Sequence, residues 1–141
     1  MKWKFRGLDI NEKWYYGNLT IIETIKASIP QGYYISNSVG MPYAYKIRPK
    51  TATISTGLKD KNGVEMYDGD IVYDGDRKYE ICFGNIGYDS SHNGLTGFSF
   101  KEYTTGYDER KFMELCYGDD YKELEVIGNI FENEKEGNNE R

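Results

Sequence analysis

Histidine and cysteine are scarce in this sequence, which has one His and two Cys in 141 residues. A structural zinc site takes four such ligands at short spacings, and Cys82, His92 and Cys116 lie too far apart along the chain to supply them. The sequence therefore predicts no metal and no other cofactor. We expect both cysteines to be reduced, buried thiols, as is usual inside cells.

Long apolar runs are also missing, and no stretch approaches the roughly 20 residues of a membrane-spanning helix. The opening MKWKFRGLDI carries charges where a signal peptide has its apolar run. We therefore expect a cytoplasmic protein without a membrane partner. Tyr, Thr, Ile and Gly outnumber the strong helix formers across most of the chain, which favours strands and turns.

Negative charge is scarce in the first part of the chain and abundant in the rest. Residues 1–61 hold 10 Lys/Arg and 4 Asp/Glu, a net charge of +6, whereas residues 62–141 hold 8 and 19, a net charge of −11. Such asymmetry marks either a nucleic-acid surface or two complementary faces that bind within or between copies. Solvation of one compact fold is the simpler alternative.

Alternating apolar and polar residues predict many short strands. A first hairpin is predicted over residues 2–19 and a short strand over 33–36. Residues 20–29 fit a strand or a short helix, since their isoleucines are spaced as on a helix but prefer strands. The segment 43–55 predicts strand on either side of Pro49, which must lie at an edge or a break. Later strand candidates, separated by turn residues and a loop at 89–97, are DIVYDG, RKYEICFG, GFSFKEY, RKFMELC and LEVIGNIF.

The segment TGLKDKNGVEMYDGDIVYDGD (residues 56–76) is rich in carboxylates, which raises the question of a metal or catalytic site. A calcium loop of the EF-hand type is excluded, because Gly63 and Val64 stand at the wrong positions. Turn chemistry fits better. Asn62-Gly63 and Asp74-Gly75 are two-residue hairpin signals, and Asp68-Gly69 predicts a third turn.

A catalytic pair of Cys82 or Cys116 with His92 has little support, because His92 lies in a predicted loop and no nucleophile motif surrounds either cysteine. We therefore expect a protein that is not an enzyme. Two basic strips, at residues 2–6 and 46–50, the second of them beside two tyrosines, predict a binding face of a kind that holds single-stranded nucleic acid in other proteins. Its residues are Lys2, Lys4, Arg6, Tyr43, Tyr45, Lys46, Arg48 and Lys50.

Three stretches resemble one known family. KFRGLDINEKWYYG, TGLKDKNGVEMYDGDIV and EVIGNIFEN are similar, in order and spacing, to the YopX-like proteins of bacteriophages and prophages. The resemblance covers about residues 2–133. Residues 52–55, ATIS, depart from it, because the family usually has a Gln and an aromatic residue there.

The resemblance implies a mainly β fold, with a small SH3-like barrel in the C-terminal part and an N-terminal β-rich or α+β portion. We predict portions 1–50 and 51–131 and a disordered polar tail over 132–141. Turns are implied at Gly57, Gly63 and Gly69. Ile71 and Val72 are placed in a barrel strand, and Ile127 and Ile130 in the last strand.

The family resemblance implies a phage or prophage protein in a bacterial host cell but no molecular activity, because a fold alone does not determine function. The opposite charges and the many tyrosines favour a non-enzymatic accessory protein that binds another protein or itself. The alternative is nucleic-acid binding through the basic, tyrosine-bearing strands, although the net charge of −5 is unusual for that role.

Overall fold

The computed structural model describes residues 4–23, 29–37, 44–88, 90–102 and 120–132. The fold is mainly β, as the sequence predicts. Two antiparallel sheets have the strand orders β4-β3-β2-β1-β5-β6 and β10-β7-β8-β9. The strands are β1 Phe5–Leu8, β2 Trp14–Ile22, β3 Gly32–Ser36, β4 Tyr45–Ile47, β5 Thr53–Lys59, β6 Glu65–Tyr67, β7 Asp70–Tyr73, β8 Lys78–Tyr88, β9 Gly94–Glu102 and β10 Glu125–Asn129.

The chain divides into two compact units, residues 1–55 and 56–141. In the first unit, β1 pairs with the first half of β2 and β3 pairs with the second half. The first half of β5 pairs with the other side of β1. Residues 20–22 belong to β2, so the strand interpretation holds for them, while residues 24–28 lie outside the described part.

The first unit is fastened where β4 ends beside β1. The N–H of Arg48 donates to the carbonyl of Leu8 at 2.9 Å, and the buried Thr51 hydroxyl accepts from the Leu8 N–H at 2.8 Å while it donates to the Arg48 carbonyl at 2.7 Å. Gly7 is needed nearby, because a Cβ there would lie 2.1 Å from a methyl carbon of Ile47. Pro49 starts a 3₁₀-helix, Pro49–Thr51, so it breaks the predicted strand.

The second unit packs its strands around a core of buried apolar side chains. The core consists of Met66, Val72, Tyr79, Ile81, Phe100 and Leu124, with Leu58, Phe98, Tyr121 and Val126 packed against it. A short 3₁₀-helix, Asp120–Glu123, leads into β10. Burial of six side chains, each worth about 1.5–3 kcal/mol, is the main stabilising term of this unit.

Two tight turns in the chain have the same construction, DINEK at residues 9–13 and DKNGV at 60–64. In each, the N–H of the fourth residue donates to the carbonyl of the Asp, and the N–H of the Asp donates to the carbonyl of the fifth residue. The fourth residue has positive φ, 65° at Glu12 and 81° at Gly63. Each loop therefore has three residues and is a type I turn followed by a left-handed residue.

The turn at residues 60–64 lies where the sequence predicts it, but the two-residue type expected for Asn62-Gly63 is wrong, because only Gly63 has positive φ. The second hairpin turn is shifted by one residue. Asp74 donates its N–H to the carbonyl of Arg77 at 3.2 Å, so the central residues are Gly75 and Asp76. Gly75, the first of them, has a φ of 101°, as in type II′ turns.

Three further predictions need correction. Gly57 has a φ of 78° but lies inside β5 rather than at a turn. Ile130 follows β10 and begins a helical turn at 130–132, where the Asn129 side chain accepts the N–H groups of Phe131 and Glu132. The predicted loop 89–97 ends early, because β9 already begins at Gly94. Residues 94–97 are strand because they pair with β8 in the long β8–β9 hairpin.

No closed barrel is found among the described strands, since neither strand order returns to its first member. Ile71 and Val72 are buried in β7, and Ile127 lies in β10. The predicted strand RKFMELC and residues 133–141 of the predicted tail lie outside the described residues. The division into portions 1–50, 51–131 and 132–141 stays a prediction.

Candidate binding face

The structure separates the residues of the predicted basic face. Lys2 and Tyr43 lie outside the described residues. Lys4 and Lys46 are exposed, and the antiparallel pairing places them on the same face of the sheet in the first unit. Tyr45 is on the opposite face, because neighbouring residues of a strand point to opposite sides. The face that carries the two lysines differs from the one predicted in its aromatic residues.

We call this surface the Tyr16 face. Arg6 pairs with Tyr16. Lys4, directly before β1, continues the alternation, because its carbonyl accepts the N–H of Ser55 at 2.9 Å, so it lies on the same side as Arg6. On β2, the exposed residues Tyr16, Asn18 and Thr20 lie on this side of the sheet. Thr20 pairs with Tyr34 of β3, and Tyr34 pairs with Lys46 of β4, so these two residues lie on the same side. The Tyr16 face consists of Lys4, Tyr16, Asn18, Thr20, Tyr34 and Lys46.

Charge on this face is of one sign. The carboxylates of the first unit are Asp9 and Glu12 in the β1–β2 turn and Glu23 directly after β2, so none lies on the face. Tyr16, which is 49% exposed, lies on β2 two residues before Asn18, and the register places it farther from Lys46 than Thr20 is. Hydroxyl and amide groups of Thr20 and Asn18 add hydrogen-bonding capacity. The arrangement is suited to an anionic partner that also contacts aromatic rings.

Lys46 is positioned by its neighbours on β3. Its Cε atom lies 2.9 Å from where a Cβ on Gly32 would be, and Cε2 of Tyr34 lies 3.6 Å from the same point. The missing side chain at Gly32 therefore leaves the space that the lysine stem occupies. The Tyr34 hydroxyl donates to the carbonyl of Pro30 at 2.8 Å. The apolar stem is covered while the ammonium group remains at the surface.

Arg6 was predicted as part of the exposed basic strip, but only 5% of it is exposed. Its guanidinium carbon lies 4.6 Å from the centroid of the Trp14 ring, and its Nε donates to the Thr53 hydroxyl at 3.2 Å. This cation–π geometry is an ordinary way to bury a guanidinium group. Arg6 therefore packs against Trp14 and bonds to β5, and its charge is not exposed to solvent.

The opposite face holds a separate aromatic pair. The rings of Tyr15 and Tyr45 stack with centroids 4.0 Å apart, and Nζ of Lys13 lies 5.4 Å from the Tyr15 ring centroid. Burial, together with the negative charge of Asp9, raises the pKa of the Tyr15 phenol. The N–H group of Lys13 holds the pKa of Asp9 below its usual range, helped by that of Asn11. The ring of Tyr45 therefore packs against Tyr15 of the same unit.

Arg48 and Lys50 also lie away from the Tyr16 face, at the end of β4. Nε of Arg48 donates to the carbonyl of Asp9 at 3.1 Å, and its guanidinium lies 4.0 Å from the Glu12 carboxylate. Lys50 is exposed on the 3₁₀-helix. Arg48 therefore holds the β1–β2 turn against β4, and its charge is partly offset by Glu12.

Four carboxylates of segment 56–76 accept backbone N–H groups. Asp60 accepts those of Asn62 and Val64 at 2.8 Å and that of Val126 at 2.9 Å. Asp68 accepts the N–H of Phe83, Asp70 that of Tyr67, and Asp74 those of Asp76 and Arg77. The turn interpretation is confirmed. Among the described residues, no group of three or more His, Cys, Asp or Glu is placed to hold a metal.

Hydrogen bonding keeps two of these carboxylates ionised. Burial alone would raise the pKa of Asp60, but the three N–H donors outweigh it and lower the pKa below the usual range. The N–H of Arg77 lowers the pKa of Asp74, and the N–H of Asp76 adds to the effect. Both groups therefore remain negative well below neutral pH and contribute to the acidity of the second unit.

Cys82 and His92 do not meet. Cys82 lies six residues before the end of β8, a distance of about 20 Å at roughly 3.3 Å per residue, and His92 is exposed in the turn beyond that end. Cys82 is a half-buried thiol outside any disulfide, and its sulfur lies 3.4 Å from a carboxylate oxygen of Glu80. Cys116 lies outside the described residues.

Four residues of the Tyr16 face were missed in the sequence. The signal was present in WYYGNLT, where Tyr16, Asn18 and Thr20 recur at every second position of one strand. Tyr34 could not be assigned to the same side without the register between β2 and β3. Local sequence shows alternation along a strand but not which strands are neighbours.

No helix in the described ranges is long and apolar enough to cross a membrane. A comparison with curated proteins gives no match. The family model described as YopX protein matches residues 4–135, which covers both units and most of the chain. The chain therefore belongs to the YopX family.

Proposed function

We propose that this protein is a non-enzymatic binding module whose Tyr16 face binds an acidic surface of another protein. One observation carries the proposal: the face presents two exposed lysines, the exposed Tyr16 and the half-buried Tyr34, whereas the carboxylates of the unit lie in a turn or after a strand. Tyr is favoured at interfaces because its ring is large and rigid and its hydroxyl can hydrogen-bond. The separation of Cys82 from His92 supports a role without catalysis.

The whole first unit favours an anionic partner. Residues 1–55 hold 8 Lys/Arg and 3 Asp/Glu, a net charge of +5. A surface of one sign speeds the approach of an oppositely charged partner and disfavours partners of the same sign. A phage or prophage accessory role in the bacterial cytoplasm, which the family resemblance implies, is part of the proposal.

The proposal is tested with a fluorescein-labelled poly-L-glutamate peptide, whose binding is followed by fluorescence anisotropy. Reversing both face lysines, Lys4→Glu with Lys46→Glu, should weaken binding at least about tenfold, since two ion pairs of up to about 1 kcal/mol each are lost and repulsion is added. The matched control reverses Lys13 and Lys50, which are exposed in the same unit but lie off the face. Equal losses in both double variants would contradict a specific face.

Single-stranded nucleic acid is the second candidate, because cations and stacking rings on strands also suit bases and phosphates. The negative second unit argues against it. Labelled oligo-dT in the same assay decides between the two ligands. Binding of oligo-dT that falls steeply with salt, without binding of poly-L-glutamate, would replace the protein partner with nucleic acid.

The finer fold assignment, an SH3-like barrel within residues 51–131, is part of the proposal as well. Short antiparallel strands around one core in the second unit support it. An experimental structure of the whole chain tests it through the hydrogen bonds between the first and last strands of that unit. A sheet that stays open there would exclude the barrel.

A further inference from the structure

We propose that the acidic partner of the Tyr16 face is the second unit of another copy of this chain. The inference rests on the proposed function and names its partner. Residues 56–141 hold 10 Lys/Arg and 20 Asp/Glu, a net charge of −10, against +5 for residues 1–55. Each copy thus carries both members of a complementary pair of charged surfaces.

Attraction between unlike units can exceed repulsion between whole molecules. Each copy has a net charge of −5, which opposes association at long range. At physiological salt the Debye length is only about 8 Å. Two copies in contact therefore respond mainly to the charges that face each other, and a first unit against a second unit is the favourable combination.

The sign of the charges also decides the kind of contact. Two Tyr16 faces repel each other because each presents Lys4 and Lys46, and two second units repel each other as well. The contact must then join different surfaces of the two copies. Such a heterologous contact closes into a ring or a reciprocal dimer when the geometry allows, and otherwise extends into a chain.

Two carboxylates in the described part of the second unit lie at its surface. Asp76, with 86% of its side chain exposed, lies 3.5 Å from Nε of Arg77, which partly offsets its charge. Asp74 is exposed too, and backbone N–H groups keep it ionised by lowering its pKa. Both lie in the β7–β8 turn, which the tight hairpin holds in place. The excess of acidic residues over the whole unit provides the broader negative field.

The test is sedimentation velocity of the full chain at about 50 mM and about 500 mM NaCl, which changes the Debye length roughly threefold. We expect association at low salt that weakens at least about tenfold at high salt. The variant with Lys4→Glu and Lys46→Glu should be monomeric under both conditions. Lys4→Gln with Lys46→Gln, which keeps long polar side chains, provides a second variant if the charge reversal impairs folding, as judged by circular dichroism.

A mixing experiment identifies the surfaces. The face-reversed variant still carries an intact second unit, so labelled wild-type protein should bind it even though the variant does not bind itself. Failure of the mixture to associate while the wild type alone associates would show that the second unit is not the partner surface and overturn the inference. Self-association that persists in both face variants would overturn it too.

The poly-L-glutamate assay separates this inference from the proposed function. A wild type that binds the acidic peptide through the Tyr16 face but stays monomeric at low salt keeps the proposed function and rejects the second copy as partner. A wild type that neither binds the peptide nor associates rejects both.

Discussion

Replacing Asp60 with Asn tests how one carboxylate fastens the 60–64 turn to β10. The residue is 6% exposed and accepts three backbone N–H groups, of which that of Val126 comes from 66 positions further along the chain. An amide side chain keeps one acceptor oxygen and turns an N–H₂ group toward the other donors. Leaving the Val126 N–H without an acceptor costs about 1–3 kcal/mol. Loss of charge assistance in the other bonds brings the expected total to about 2–4 kcal/mol.

The loss should depend on pH in a defined direction. The folded state lowers the pKa of Asp60, so the ionised carboxylate contributes stability that is fully present above the unfolded pKa of about 3.9. That contribution is lost as the pH falls from there through the folded pKa. The difference in unfolding free energy between wild type and Asp60→Asn should therefore be constant from pH 7 to about 5 and shrink in stronger acid.

Urea unfolding followed by circular dichroism measures the stability difference, which at a typical slope corresponds to a midpoint lower by about 1–2 M. Amide exchange of Val126 should accelerate, because its acceptor is lost. Asp9→Asn is the matched control, since Asp9 occupies the same position in the DINEK turn but its donors are the nearby Asn11, Lys13 and Tyr15 rather than a backbone N–H from a distant strand. Equal effects of the two substitutions, or a difference unchanged below pH 4, would refute the reasoning.

Two further pairs of substitutions test the geometry of the turns and of the first unit. Gly63→Ala should destabilise the protein by about 1 kcal/mol because the φ of Gly63 is 81°, although nothing lies within 4 Å of the added Cβ. Glu12→Gly should stabilise the protein, because Glu12 has positive φ at the equivalent position of the other turn. If urea unfolding shows that neither substitution changes stability, the two turns do not share this geometry. Thr51→Val should lower the free energy of unfolding by about 1–3 kcal/mol, because the Leu8 N–H loses its acceptor, whereas Thr51→Ser keeps the hydroxyl. Tryptophan fluorescence during urea unfolding measures the stability of both variants. Equal losses of stability would show that the methyl group of Thr51, and not its hydroxyl, is responsible.

Some features followed from residue order alone. Gly63, Gly69 and Gly75 have the positive φ that the turn predictions require, because only a residue without Cβ adopts it at little cost. Alternation located most strands, and Pro49 interrupts one of them as expected. The equivalence of the DINEK and DKNGV turns was missed, because Glu12 stands where the other turn has Gly.

Other features depended on contacts between distant segments. Arg6 alternates with apolar residues as an exposed cation would, yet it is buried because Trp14 and Thr53 supply partners from neighbouring strands. The register places Tyr45 on the other face, where its ring stacks on Tyr15. Asp60 resembles an ordinary turn residue until Val126 adds a third donor.

The sequence by itself determined a mainly β protein with turns at defined glycines, a positive first part and a negative remainder, since these depend on local conformation and on composition. Only the tertiary structure decided which lysines share a face. That grouping is set by the register of β1, β2, β3 and β4, and the register depends on pairing between segments that are remote in sequence. The Tyr16 face is therefore a product of strand neighbours, whereas the excess of lysine and arginine over carboxylates in the first unit is already present in the residue order.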